Sequence, residues 1–123
     1  MGELARKRVR FTRKFARLLN HAEVKGDREG FYPVVGRVKM PEGSPGVHPR
    51  STHFSGLAGH IILYDRNFNW LHNVNPEWEK KVYRELHAFW EFLCGQDETG
   101  KQVVGELIEG DLNHFSFEHE GVR

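Results

Sequence analysis

Apolar residues recur every three or four positions in two stretches of the chain, which predicts two amphipathic helices. The first covers residues 4–24, and Lys25-Gly26-Asp27 is a glycine stop that predicts its end. The second covers residues 76–93, with Asn75 as N-cap, Pro76 at the first helical position and Gly95 after its end. The apolar positions are Leu4, Phe11, Phe15, Leu18, Leu19 and Ala22 in the first helix, and Trp78, Val82, Leu86, Phe89, Trp90 and Leu93 in the second.

Short aliphatic and aromatic runs between and after these helices predict strands. They are residues 31–40, 57–64, 103–108 and 114–117, and residues 69–71 are predicted to pair back on the second run as a hairpin. Residues 41–49 (PEGSPGVHP) and 96–101 are predicted loops. The order of elements indicates an α+β fold, in which helices pack against a small antiparallel sheet.

Composition indicates one ordinary globular domain covering residues 1–123, with a basic N-terminus (1–10) that can be flexible. The single cysteine, Cys94, excludes an intrachain disulfide and an all-cysteine zinc site. No apolar run approaches the roughly 18 residues of a membrane span. The basic N-terminus lacks the apolar stretch of a secretory signal, so we expect synthesis in the cytoplasm without a signal peptide.

The net charge of +1 hides an uneven distribution, since residues 1–17 contain seven basic residues and one acidic residue, Glu3. The basic helix could make a weak contact with an anionic surface, although a solvated helix face is the commoner explanation.

A nucleic-acid-binding protein is the least favoured hypothesis, because the whole chain is nearly neutral and has no base-reading motif. We therefore expect no specific nucleic-acid partner.

Two histidine segments carry the candidate chemistry: Ser51-Thr-His53-Phe-Ser-Gly-Leu-Ala-Gly-His60 and Asp111-Leu-Asn-His114. Three histidines and a nearby carboxylate are what a zinc hydrolase requires, namely three ligands, an open position for water and a base. His60 shares a strand face with Ile62 and Tyr64, and pairing of the last strand with this one would bring His114 alongside. The alternatives are hydrogen-bonded core histidines and an Asp111 that caps its own turn.

The first segment resembles the Ser-x-His-x-x-Gly-x-Ala-x-Asp signature of zinc peptidases that cut D-amino-acid peptides of peptidoglycan. This superfamily includes D-alanyl-D-alanine carboxypeptidases and the L-alanyl-D-glutamate endopeptidases used as bacteriophage endolysins. Asp111-Leu-Asn-His114-Phe is similar to the second motif of the family, an acid followed three residues later by a ligand histidine. The resemblance extends over residues 11–117, including the first helix and the aromatic run 88–93.

The resemblance implies a zinc metallopeptidase that hydrolyses peptidoglycan stem peptides and acts at the bacterial cell wall. The zinc ligands would be His53, His60 and His114, and Asp111 would be the general base. Arg50 and Ser51 flank the first ligand and could contact the substrate or orient the loop.

Two departures from the family pattern affect these expectations. His60 stands where the family has aspartate, which leaves the metal one charge more positive. The family places an arginine after its early strand, where it helps to hold the substrate, and the nearest residues here are Lys39 and Arg37. The alternative interpretation is that both are solvated strand residues. The departures motivate an alternative function: a non-catalytic member of the same fold acting as a virion or binding component.

Overall fold

The computed structural model describes residues 2–36, 58–94 and 112–117. Its elements, in chain order, are helix α1 (Glu3–Glu29), strand β1 (Phe31–Val35), strand β2 (Ala58–Asp65), helix α2 (Leu71–Val74), helix α3 (Pro76–Cys94) and strand β3 (His114–Ser116). The strands form an antiparallel sheet in the order β1-β2-β3. Helices pack against this small sheet, so the predicted α+β class is confirmed.

Helix α1 begins close to the predicted start but ends five residues later than predicted, at Glu29. The predicted stop at Gly26 is wrong because Gly26 lies inside the helix, where a side chain would overlap the carbonyl oxygen of Phe31. The left-handed residue that ends the helix is Gly30, with φ of 96°, and its N–H donates to the Gly26 carbonyl at 2.7 Å. The same turn leads directly into β1.

Strand β2 matches its predicted bounds within one residue, and β1 ends at Val35 within the described residues. The predicted hairpin at 69–71 is wrong in part. Trp70 makes one bridge to Tyr64, but Leu71 is fully buried in the core and starts the short helix α2 instead of extending a strand. The predicted loops and the predicted strand 103–108 lie outside the described residues.

Helix α3 begins as predicted, since the Asn75 side-chain oxygen accepts a hydrogen bond from the Trp78 N–H at 3.2 Å. Its apolar face and that of α1 meet on one face of the sheet. A methyl group added at Gly59 of β2 would lie 2.7 Å from Phe15 of α1, so this strand position lies directly under the helix. The core is built from large side chains that include Phe11, Phe15, Ile61, Leu63, Leu86, Trp90, Phe115 and Phe117.

Both long helices are too polar for a membrane span: α1 has polar residues over most of its surface, and α3 has many charges within its 19 residues. In the part of the chain that the structure describes, no helix is both long and apolar enough to cross a membrane.

Candidate metal centre

His60 and His114 are directly opposite each other in the β2–β3 ladder. Paired residues of adjacent antiparallel strands point to the same face of the sheet, so both imidazoles lie on one face. Their ring centroids are 5.5 Å apart, with the ring planes at 71°. The predicted pairing of the last strand with the central strand is therefore present, and it brings together two of the three predicted ligands.

These two histidines lie on the face of the sheet that points away from α1 and α3. On β2, Ile61 and Leu63 are fully buried under the helices, whereas His60 alternates with them and is partly buried. On β3, Phe115 points into the core and stacks on His87 of α3, while His114 is on the opposite side and only 6% exposed. The site and the helical layer thus occupy opposite sides of the strands.

The separation of the two rings fits a shared metal ion. Two imidazoles bound to one tetrahedral zinc at about 2.0–2.1 Å have ring centres about 5 Å apart. Imidazole nitrogen is an established zinc donor, and two histidines leave two coordination positions for another protein ligand and water. The two rings are therefore close enough for both to bind one ion.

The remaining predicted site residues lie outside the described residues, namely His53, Asp111, Lys39, Arg37, Arg50 and Ser51. Among residues 2–36, 58–94 and 112–117, no group of three or more His, Cys, Asp or Glu side chains could hold a metal. The third ligand, the base and the substrate-binding residues stay predictions.

Three side chains of α3 fix the strands that carry the histidines, and sequence reasoning assigned them no such role. The Tyr83 hydroxyl donates to the carbonyl of Ile61 at 2.7 Å, and Trp90 Nε1 donates to the carbonyl of Ser116 at 3.2 Å. His87 Nε2 lies 2.8 Å from the carbonyl oxygen of Leu112, two residues before His114, and donates to it as the Nε2–H tautomer. Each bond holds a residue next to, or two positions from, one of the paired histidines.

The sequence spacing of these three residues of α3 already indicated that they act together. Tyr83, His87 and Trp90 are four and three residues apart, which places them on one side of α3. All three are buried, and buried polar atoms require partners. Burial also raises the pKa of Tyr83, with the nearby Glu79 carboxylate adding to the effect, so the phenol remains a neutral donor.

A second polar cluster lies beside Tyr83 and next to Asn113. The buried carboxylate of Glu79 lies 3.0 Å from Nδ1 of His72, whose ring stacks on Trp70 with centroids 4.6 Å apart. These residues line a small pocket together with Tyr83, Leu112 and Asn113. The cluster offers two possible ligands, His72 and Glu79, and among the described residues no third one joins them. Its position next to Asn113 borders the predicted second motif.

Comparison of the chain with family models, with curated proteins and with solved structures finds no match. Membership in the peptidoglycan peptidase superfamily therefore stays a prediction based on the two motifs.

Proposed function

We propose that this protein is a zinc-dependent peptidase that hydrolyses a peptide bond next to a D-amino acid in peptidoglycan stem peptides. The observation that supports it most strongly is the cross-strand pair His60–His114 at 5.5 Å. Two motifs fifty residues apart in the sequence were expected to converge on one ion, and one residue from each lies in this pair.

In the proposed mechanism His53 completes the ligand set and Asp111 is the general base. Bound zinc would activate a water molecule and polarise the substrate carbonyl. Asp111 would accept the proton of that water and return it to the leaving amine. Lys39, Arg37, Arg50 and Ser51 would hold the peptide. Because His60 stands where the family pattern has a carboxylate, the ligand set of three histidines would be neutral, and the metal would act as a stronger Lewis acid than with a carboxylate ligand.

Zinc binding is tested first, by metal analysis and by competition with a chromophoric chelator. We expect about one zinc per chain. Replacing His60 or His114 by alanine should weaken binding more than the roughly 10- to 100-fold that loss of an outer-shell partner costs. His72→Ala, which removes an exposed histidine outside the pair, is the matched control and should bind like the wild type. Equal affinity in all four proteins would contradict the site.

Catalysis is tested separately, by the release of free amines from purified peptidoglycan. Wild type should release them, Asp111→Asn should not, and His60→Asp, which restores the carboxylate of the family motif, should retain activity. Zinc binding without amine release by the wild-type protein would instead assign the chain to the alternative, a binding or virion component with the same fold.

A further inference from the structure

The first helix concentrates the positive charge of the protein. Residues 1–30 contain nine basic and four acidic residues, whereas the whole chain contains 18 and 17. Within this helix, residues 4–22 contain no acidic residue, and their basic ones are Arg6, Lys7, Arg8, Arg10, Arg13, Lys14 and Arg17. Opposite charges are thus segregated along the chain, and one element presents a cationic surface.

Part of this charge forms a stripe directly opposite the buried face of α1. The buried face is formed by Phe11, Phe15, Leu18 and Ala22. At 3.6 residues per turn, Arg6, Val9, Arg13, Arg17 and Val24 fall on the other side of the helix, and all five are exposed. We name these five residues the outer stripe. Within the described residues, Arg6, Arg13 and Arg17 form no ion pair with an acidic side chain.

A shallow groove between α1 and α3 continues the outer stripe. Its walls include Arg17, Val24, His21 and Phe89, and the His21 ring stacks on Phe89 with centroids 3.8 Å apart. Burial lowers the pKa of His21, and the charges of Lys25 and Arg28 lower it further. The groove and the outer stripe therefore combine cations with accessible apolar side chains.

We propose that the outer stripe binds the surface of a bilayer rich in anionic lipids. Basic residues close to such a surface each contribute about 1 kcal/mol through the negative surface potential. Val9 and Val24, which are 43% and 44% exposed among the arginines, would contact the apolar boundary below the headgroups. Aliphatic side chains add nothing to the binding of a phosphate backbone, so the combination favours lipid over nucleic acid.

Docking through the outer stripe fixes which side of the protein faces the lipid. Helix α1 lies on one face of the sheet, and His60 and His114 lie on the other. A molecule attached to a bilayer through α1 therefore presents the histidine pair to the opposite side, away from the lipid. This orientation has a use in wall hydrolysis only if the proposed function holds, whereas the lipid binding does not depend on it.

The test is co-sedimentation of the full-length protein with phosphatidylglycerol–phosphatidylcholine vesicles and with pure phosphatidylcholine vesicles. We expect binding to the anionic vesicles only, weakening as salt is raised. The double variant Arg13→Gln/Arg17→Gln should lose roughly 25-fold in partition coefficient, the product of about fivefold for each charge. Lys80→Gln/Lys81→Gln removes the same charge from α3 and should bind like the wild type, with circular dichroism confirming that both variants are folded.

Two further measurements separate lipid from other anions. Val9→Ser/Val24→Ser keeps every charge and should bind anionic vesicles several-fold more weakly, while leaving any binding to duplex DNA unchanged. Equal binding to both kinds of vesicle, equal loss in the two glutamine variants, or preference for DNA in direct competition would each overturn the proposal. None of these readouts measures peptide hydrolysis, so failure of lipid binding and failure of the proposed peptidase are observed independently.

Discussion

Helices α1 and α3 cover the same face of the sheet but contact it in different ways. Helix α1 contacts it with phenylalanine rings and with a close backbone approach at Gly26. Helix α3 adds directional bonds, because Tyr83, His87 and Trp90 each donate to a carbonyl in β2, in β3 or in the turn before β3. The two helices also contact each other, through Phe11 against Trp90 and through the ion pair of Lys25 with Glu85.

This difference suggests how the two helices divide their roles. Apolar contact depends on area and tolerates small shifts, whereas a hydrogen bond to a particular carbonyl fixes a strand to within a fraction of an ångström. Helix α3 therefore determines where the β3 strand, and with it His114, lies relative to His60. Helix α1 contributes core area on one side and leaves its other side available for the lipid contact that we propose.

The largest expected effect is at Trp90, which joins both helices to β3. Its ring is fully buried and lies against Phe11, Phe15, Phe115 and Phe117. Trp90→Ala should lower the free energy of unfolding by about 3–5 kcal/mol, because it leaves a cavity and an unpaired carbonyl. Urea denaturation measures this. The control Phe92→Ala, on the same helix but 57% exposed, should change stability by less than about 0.5 kcal/mol.

A smaller effect at His87 tests the directional role of α3 itself. His87→Phe keeps the stacking on Phe115 but leaves the Leu112 carbonyl without its donor, which should cost about 1–3 kcal/mol. We expect zinc affinity to fall as well, because the position of His114 depends on this bond. His87→Gln can donate from a similar position and should recover part of both losses. If the Phe variant lost stability but bound zinc like the wild type, the bond would have no role in placing His114.

The smallest effect concerns His21 on α1, whose pKa is lowered by burial and by Lys25 and Arg28. Because the unfolded chain takes up this proton at higher pH than the folded chain, the contribution of His21 to stability is fully present above its ordinary pKa of 6.5. That contribution decreases as pH falls below 6.5 toward the lowered pKa. Nuclear magnetic resonance titration should give His21 a midpoint below 6.5, and a midpoint at or above that value would contradict the result.

Local patterns were sufficient for the two long helices and for the strands, but not for the short helix α2. Three- and four-residue periodicity predicted both long helices, the Asn75-Pro76 pair predicted the start of α3, an aliphatic run predicted β2, and a short run with two phenylalanines predicted β3. These features depend on residues close in sequence, and the sequence alone is therefore enough to predict them. The end of α1 could not, since whether Gly26 or Gly30 ends the helix depends on where the Phe31 carbonyl packs.

For the candidate site, the sequence by itself determined the residue types, namely two histidine motifs and an acid three residues before the last histidine. It also determined, by alternation along the strand, that His60 lies on the other face of the sheet from Ile61 and Leu63. Only the tertiary structure decided that His60 and His114 are neighbours. The two histidines are more than fifty positions apart in the chain, and their strand pairing comes with long-range bonds from α3, such as the bond of His87 to the Leu112 carbonyl. Periodicity fixes the face on which a side chain lies, whereas packing and hydrogen bonding between distant elements fix its partner.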